Sequence, residues 1–295
     1  MDSKTIAQIA QIASVLEVSG YPKPGNVHRT RDFHDMVFED FLISGIAIGD
    51  TVKSLCDHTK NNKNDLSKIN LGEYILKGVL QTDKWVKNNT NLGIIMMIMP
   101  IAASASICSN FDDLSEKVNE ILKATTVSDA TYLYKAINIA DAGGMGSQNE
   151  YDVTNDDAIR ELEKNKQTMF DVLEISASWD SLANELTSSM QVTFKIGFPT
   201  FHKLKNKYSL NDATLETFLT ILSQVPDTLI SRKYGIKKAR EVSSKGKNVL
   251  NSNKDEFLNN LNVFDNYLFE NKYNPGTTAD LTAASIMISY LKDKF

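Results

Sequence analysis

Residues 17–36, EVSGYPKPGNVHRTRDFHDM, gather two prolines, a lysine, two arginines, two histidines and two aspartates beside an apolar helical pattern. A linker does not need so much charge, and a core segment could not bury it. The residues before Pro22 and Pro24 are driven toward extended backbone, and Gly25 is free to take a positive φ. The chain therefore reverses here with N–H groups exposed. Such a turn, followed by a helix N-terminus, favours an anion. Lys23, Arg29 and Arg31 add full positive charge beside it. The chemistry is that of a phosphate site.

Arginine usage sharpens that reading. The chain holds five arginines, at 29, 31, 160, 232 and 240, and two of them lie in this turn. Arg232 falls in a second polar knot, PDTLISRKYG, with Asp227 and Lys233. The planar guanidinium fork suits bidentate phosphate binding. The competing reading pairs Arg29 and Arg31 with Asp32 and Asp35 on the surface, where ion pairs are weak.

Asp32, Asp35, Glu39 and Asp40 follow within nine positions. The four-residue spacing of Asp35 and Glu39 predicts a shared helix face, where like charges repel unless a cation or solvent intervenes. Magnesium takes one or two carboxylates together with substrate phosphates and water, so a metal–nucleotide site is expected. The plainer alternative makes Asp32 an N-cap and Asp35 a partner of the helix dipole.

Three further knots share this character. NNTNLG, at 88–93, precedes the most apolar helix pattern of the chain. ADAGGMG, at 140–146, is glycine-rich but lacks the lysine and serine of a P-loop. NPGTTADL, at 274–281, reads as a turn and helix start, with Thr277 as cap and Asp280 three residues on, the capping-box spacing. His58 and His202 fall in loop-like, lysine- or asparagine-rich surroundings. His28 and His34 could act as acids near neutral pH. No G-x-S-x-G occurs and both cysteines sit in apolar patterns, so nucleophile machinery has no support.

The elements that must position these knots read as helices almost throughout. Ile6, Ile9, Ala10, Ala13 and Leu16 form one stripe, and Phe38, Phe41, Leu42, Gly45 and Ile46 the next. Leu114, Val118, Ile121 and Leu122 form a third, and Leu215, Phe218, Leu219 and Leu222 another. DATYLYKAINIADAGG continues the pattern to a Gly-Gly stop, and TTADLTAASIMISYLKDKF closes the chain. Strand alternation is nearly absent. An all-α fold is expected, one compact multi-helix bundle over residues 1–295. Residues 56–70 read as a polar surface loop, and 143–157 as a glycine-rich, then acidic one.

Composition narrows the partners. The chain of 295 residues is 42% hydrophobic and 23% charged, with a net charge of −5. That balance argues against nonspecific binding to nucleic acid or an acidic membrane. Two cysteines without CxxC spacing argue against a disulfide scaffold or cysteine-rich metal site. The start is not a signal peptide, and the longest apolar run is interrupted by Pro100. A cytoplasmic protein acting on small nucleotides is expected, with a homodimer left open.

Together, EV…PKPG…DM, NTNLG, PDTLISRKYG and NPGTTADL, in this order, resemble the triphosphoribosyl-dephospho-CoA synthase family, over most of the chain from Glu17 to about Ser285. The resemblance implies an all-helical enzyme that moves the 5-triphosphoribosyl group of ATP to a ribose hydroxyl of dephospho-CoA, releasing adenine. It departs from the family at Asn26 and His28 after KPG, and at residues 90–93, where a histidine and a lysine of the family pattern are missing. DTLISRKYG and the segment SWDSLANEL around Asp180 look more like an uncharacterised, largely archaeal branch of the same family. The resemblance implies phosphate contacts from Lys23, Arg29, Arg232 and Lys233. Asp35, Asp227 and Asp280 become Mg2+ ligands, or one of them a general base, and Glu17 a metal contact or a partner of Lys23. Gly25, Gly93 and Gly276 would allow close backbone approach. Asn26, Thr90, Asn91, Asn274 and Thr277 complete the nucleotide site. Two rivals remain: a Mg-ATP-dependent phosphotransferase or hydrolase, and a non-catalytic nucleotide-binding protein.

Overall fold

The computed structural model describes residues 1–140 and 157–295, and among these the regular structure is helical. The knot at 140–146 and the acidic loop after it fall almost wholly outside the described residues. Asp2 starts α1 (Ser3–Ser19), its carboxylate accepting from the backbone N–H of Lys4 at 2.9 Å and Thr5 at 3.3 Å. The predicted stripe then buries Ile6, Ile9, Ala10 and Ala13. Helices α2 (Phe38–Ala47), α3 (Gly49–Asn61) and α4 (Leu71–Asp83) lead to α5 (Leu92–Ile107). Helix α5 is apolar around its whole circumference, so it can be stable only inside other helices. It lies buried, with α1, α3, α4 and α6 (Leu114–Lys123) packed around it. No described helix is long and apolar enough to cross a membrane.

Helices α7 (Val127–Ala140), α8 (Ala158–Asn165), α9 (Met169–Ser176) and α10 (Ser181–Thr187) form one flank. A π-turn (Thr193–Gly197) leads to α11 (Phe198–Lys205). The last helices are α12 (Leu210–Gln224), α13 (Thr228–Tyr234), α14 (Ile236–Leu250), α15 (Lys254–Glu270) and α16 (Gly276–Lys292). Helix α16 is buried nearly as deeply as α5 and packs on it, as well as on α1, α11 and α12. A second apolar cluster joins α12 to α15 through Phe218, Leu222, Ile230, Val242, Phe264 and Leu268. Helix α12 serves both: Ala213 and Ile221 face the main core, Leu215 and Phe218 the smaller one.

Local expectations are corrected at three places. Residues 56–61 are the end of α3 rather than loop, because Leu55, Cys56 and Thr59 face the core while only the outer positions are polar. His58 and His202 lie on α3 and α11, bonded to the Lys68 carbonyl at 2.8 Å and the Ser289 hydroxyl at 3.0 Å. Asp35 and Glu39 share no helix face, since α2 begins only at Phe38, and Asp32 caps that start by accepting from the Phe38 N–H at 2.8 Å.

Candidate active site between two glycine corners

The first proline bend and the late Asn-Pro-Gly corner meet. Asn26 Nδ2 donates to Asn274 Oδ1 at 2.6 Å, and the Gly25 N–H donates to Asp265 Oδ1 at 2.9 Å. The other oxygen of Asp265 lies 3.3 Å from His28 Nε2 and 3.2 Å from Arg31 Nε. Gly25 has φ +70°, and a Cβ there would lie 2.7 Å from the Leu268 Cβ, so backbone geometry and packing both require glycine. Sequence reasoning missed Asp265. The available signal was an acid on the apolar stripe Leu261–Phe264–Leu268 of α15, where a charge must have partners.

Between the corners opens a cleft of about 570 Å³. The first bend contributes Glu17, Asn26 and Asp35 to its lining; the start of α5 adds Thr90, Asn91 and Gly93. Helix α13 supplies Arg232 and Lys233, while Asn274, Gly276, Thr277 and Asp280 come from the α16 corner. Thr90 and Asn91 also fix α2 against α5, through Ser44 Oγ (2.5 Å) and the Ser44 carbonyl (3.2 Å) respectively. The opposite wall is apolar, formed by Val79 of α4, Leu133 of α7, Val172 and Leu173 of α9, and Trp179. Neither the apolar wall nor Trp179 was singled out from the sequence.

Four expected ligands do other work. Lys23 is fully buried in an ion pair with Glu17 and donates to the Glu17 carbonyl at 3.2 Å, so it cannot reach a ligand directly. Arg29 turns away, donating from Nε and Nη2 to the Ser19 carbonyl at 2.9 and 2.6 Å. Gly25 is a packing residue of the bend. Asp227 caps α13 with Oδ1, accepting from Leu229 and Ile230 N–H, and uses Oδ2 to accept from the Thr278 N–H and hydroxyl, both at 2.8 Å. Both oxygens hold helix starts, which leaves none for a metal or a proton. The surface reading of the arginines fails too: Arg31 pairs with Asp265, not with Asp32 or Asp35.

Electrostatics centre on Asp280. Thr277 does not cap α16, which begins at Gly276, so Asp280 is not the far member of a capping box. Its carboxyl packs against Gly93, where any Cβ would collide with it. Burial, and then the charges of Glu17, Asp227 and Asp180, hold Asp280 well above the usual carboxylate range, with Arg232 opposing. Burial likewise pushes Glu17 up and Lys23 down, against their mutual attraction. Four carboxylates thus share an enclosed region with Lys23 and Arg232. That excess of negative charge suits a cation arriving with a polyphosphate. Among the described residues no three His, Cys, Asp or Glu side chains stand close enough to hold a metal by themselves. Of the expected Mg2+ ligands Asp35, Asp227 and Asp280, Asp35 and Asp280 line the cleft, where phosphate oxygens would have to complete the coordination.

Donors face the same space. Gly93 and Gly276 stand in the first turns of α5 and α16, two long helices whose positive dipole ends open on the cleft. Arg232 Nη1 donates to Asp180 Oδ2 at 2.7 Å, and Arg232 Nε is buried with no partner. An unpaired buried donor costs about 1–3 kcal/mol, a cost an incoming anion could relieve.

Among the described residues, an all-helical architecture surrounds a cleft with cationic, acidic and apolar faces, a lining whose chemistry suits small phosphorylated nucleotides. Residues 3–295 match the family model CitG: ATP:dephospho-CoA triphosphoribosyl transferase, and the chain belongs to that family. Its activity is the family's, a triphosphoribosyl transfer that uses ATP and dephospho-CoA. A crystal structure from Archaeoglobus fulgidus, solved under the provisional name triphosphoribosyl-dephospho-CoA synthase, shares the fold with a TM-score of 0.67. It is 18% identical, and the match covers 85% of this chain and 98% of that one. Comparison with curated proteins gave no significant match.

Proposed function

We propose that the triphosphate of ATP lies at the polar end of the cleft, between Arg232, Lys233 and the starts of α5 and α16. The observation that carries this reading is that the starts of α5 and α16, at Gly93 and Gly276, line one space together with Arg232. The guanidinium offers the fork geometry phosphate needs, and Lys233 is an exposed point charge at the rim. Asp280 would hold Mg2+ together with phosphate oxygens; bound there, the ion supplies neutralisation of the polyphosphate.

Glu17 and Asp280 set negative charge beside the ribose, where C1′ becomes oxocarbenium-like as its bond to adenine lengthens. The acceptor hydroxyl forms the new C1′–O bond, and adenine leaves with the electrons of the old C1′–N bond and takes up a proton from solvent. Asp35, at the open mouth, takes the hydroxyl proton. Its Oδ1 lies 3.1 Å from His34 Nδ1, which offers an exit for that proton to solvent. The protein supplies orientation and charge, and the apolar wall excludes water that would otherwise intercept C1′.

Incubation with Mg·ATP and dephospho-CoA, followed by mass spectrometry, is expected to show free adenine and an acceptor heavier by one triphosphoribosyl group. Asp35→Asn should lose turnover while keeping ATP affinity. ADP or AMP as the nucleotide product, or full activity in the variant, would overturn these assignments.

A further inference from the structure

Asp180 sits where three helix starts are laced together. Its Oδ1 caps α10, accepting from Leu182 N–H at 2.8 Å and more loosely from Ala183 N–H at 3.5 Å. Its Oδ2 takes the 2.7 Å bond from Arg232 Nη1. The next residue, Ser181, donates its N–H to Thr228 Oγ1 at 3.2 Å, and Thr228 Oγ1 lies 3.1 Å from Thr277 Oγ1. The starts of α10, α13 and α16 are thereby tied side by side. The Asp180–Arg232 bond closes the lattice by joining the last turn of α13 back to the start of α10. Both side chains line the cleft and are about four-fifths shielded from solvent.

From this geometry we propose that Asp180 is the positioning residue for Arg232, holding one edge of the guanidinium so that the rest of the fork is fixed for a phosphate group. The inference rests on the reading of Arg232 as a phosphate ligand. Arginine on a short helix has many rotamers, and a fork that must find its geometry upon binding loses affinity to ordering. Asp180 fixes one nitrogen beforehand and leaves Nε without a protein partner. A second acid, Asp280, also attracts Arg232.

The sign of the effect separates this role from simple electrostatics. Removing a carboxylate from a site that binds a polyanion should tighten ATP binding if charge alone matters. Removing a positioning residue should weaken it. Asp180→Ser is the variant of choice, since serine preserves the N-cap but is too short to hold Arg232. Asp180→Asn, which retains an oxygen for the cap and loses the charge-assisted bond, is the second.

ATP affinity of the full chain, measured by calorimetry, is expected to fall about tenfold in both variants, as loss of a charge-assisted contact would give. The helical circular dichroism should be unchanged. In the Arg232→Ala background, adding Asp180→Ser should change affinity less than twofold, because a residue acting through Arg232 has nothing left to position. Tighter binding, no change, or an equal loss in both backgrounds would overturn the role of Asp180. If Arg232→Ala alone binds ATP like the wild type, the phosphate assignment of Arg232 falls, and the positioning role with it.

Discussion

At the scale of the residue, the cleft keeps charges that the fold would be more stable without. Asp280 is held well above the usual carboxylate range by burial and by three neighbouring acids. Its folded pKa therefore exceeds its unfolded one, and the folded chain binds more protons in the interval between them. That contribution is fully present below the ordinary carboxylate range and is lost as pH rises through the elevated value. Asp280→Asn should therefore raise thermal stability at pH 8, by about 1 kcal/mol as relief of a strained active-site group commonly gives. The gain should vanish toward pH 4, and turnover should be lost at every pH. Thermal melts across that range check it; a gain that does not depend on pH would refute the cause. Lys23 and Arg29 supply a contrasting pair. Lys23→Ala leaves Glu17 buried without its partner and should destabilise by about 3–5 kcal/mol. Arg29→Ala, whose bonds face the surface, should change stability by less than about 1 kcal/mol and leave ATP affinity untouched. A clear loss of ATP affinity in Arg29→Ala would restore it to the site.

At the scale of the element, the starts of α5 and α16 decide whether the cleft exists. Gly93 must be glycine because the Asp280 carboxyl occupies the place of a Cβ. Gly93→Ala should therefore push α5 away from α16, lower stability by about 1–3 kcal/mol, the usual cost of overpacking, and suppress turnover. Gly276→Ala should be milder, since its Cβ would meet the far end of the Leu229 side chain at 2.9 Å. Equal effects on turnover would show that Gly93 is not special. These corners were legible from sequence because prolines, glycines and charged residues interrupt otherwise apolar periods. Asp227 was visible as chemistry yet misjudged: an aspartate directly before Thr228 and a helical stretch is also an N-cap signal. Asp180 and Asp265 were harder to see as site builders. Asp180 is one acid before an amphipathic helix, a pattern shared by many solvent-facing residues, whereas Asp265 lies on the apolar stripe of α15, and only tertiary contact shows what either one holds.

At the scale of the whole molecule, the helical class was readable from the recurrent 3.6-residue period, whereas the arrangement of the helices was not. Periodicity tells which face is buried but not against what. The sharing of α12 between two apolar clusters is such a fact, and we propose that it makes the chain unfold as one unit. Phe218 belongs to the smaller cluster, while Trp85 and Trp179 lie outside it, on the α4 and α10 side of the molecule. Phe218→Ala should cost about 3–5 kcal/mol. Tryptophan fluorescence and far-ultraviolet dichroism should then shift together to lower temperature. A fluorescence transition that stays put would mean two independently folding parts.

The bond from the Gly25 N–H to Asp265 spans 240 positions of chain, and this has a consequence for synthesis. On the ribosome the proline bend is made long before its anchor, which follows 240 positions later. Until α15 and α16 have emerged, a nascent chain carries Arg31 without Asp265 and Asn26 without Asn274. Chains that lack α15 and α16 should therefore leave cellular nucleotide pools alone, and nucleotide capture should begin only once those helices have emerged.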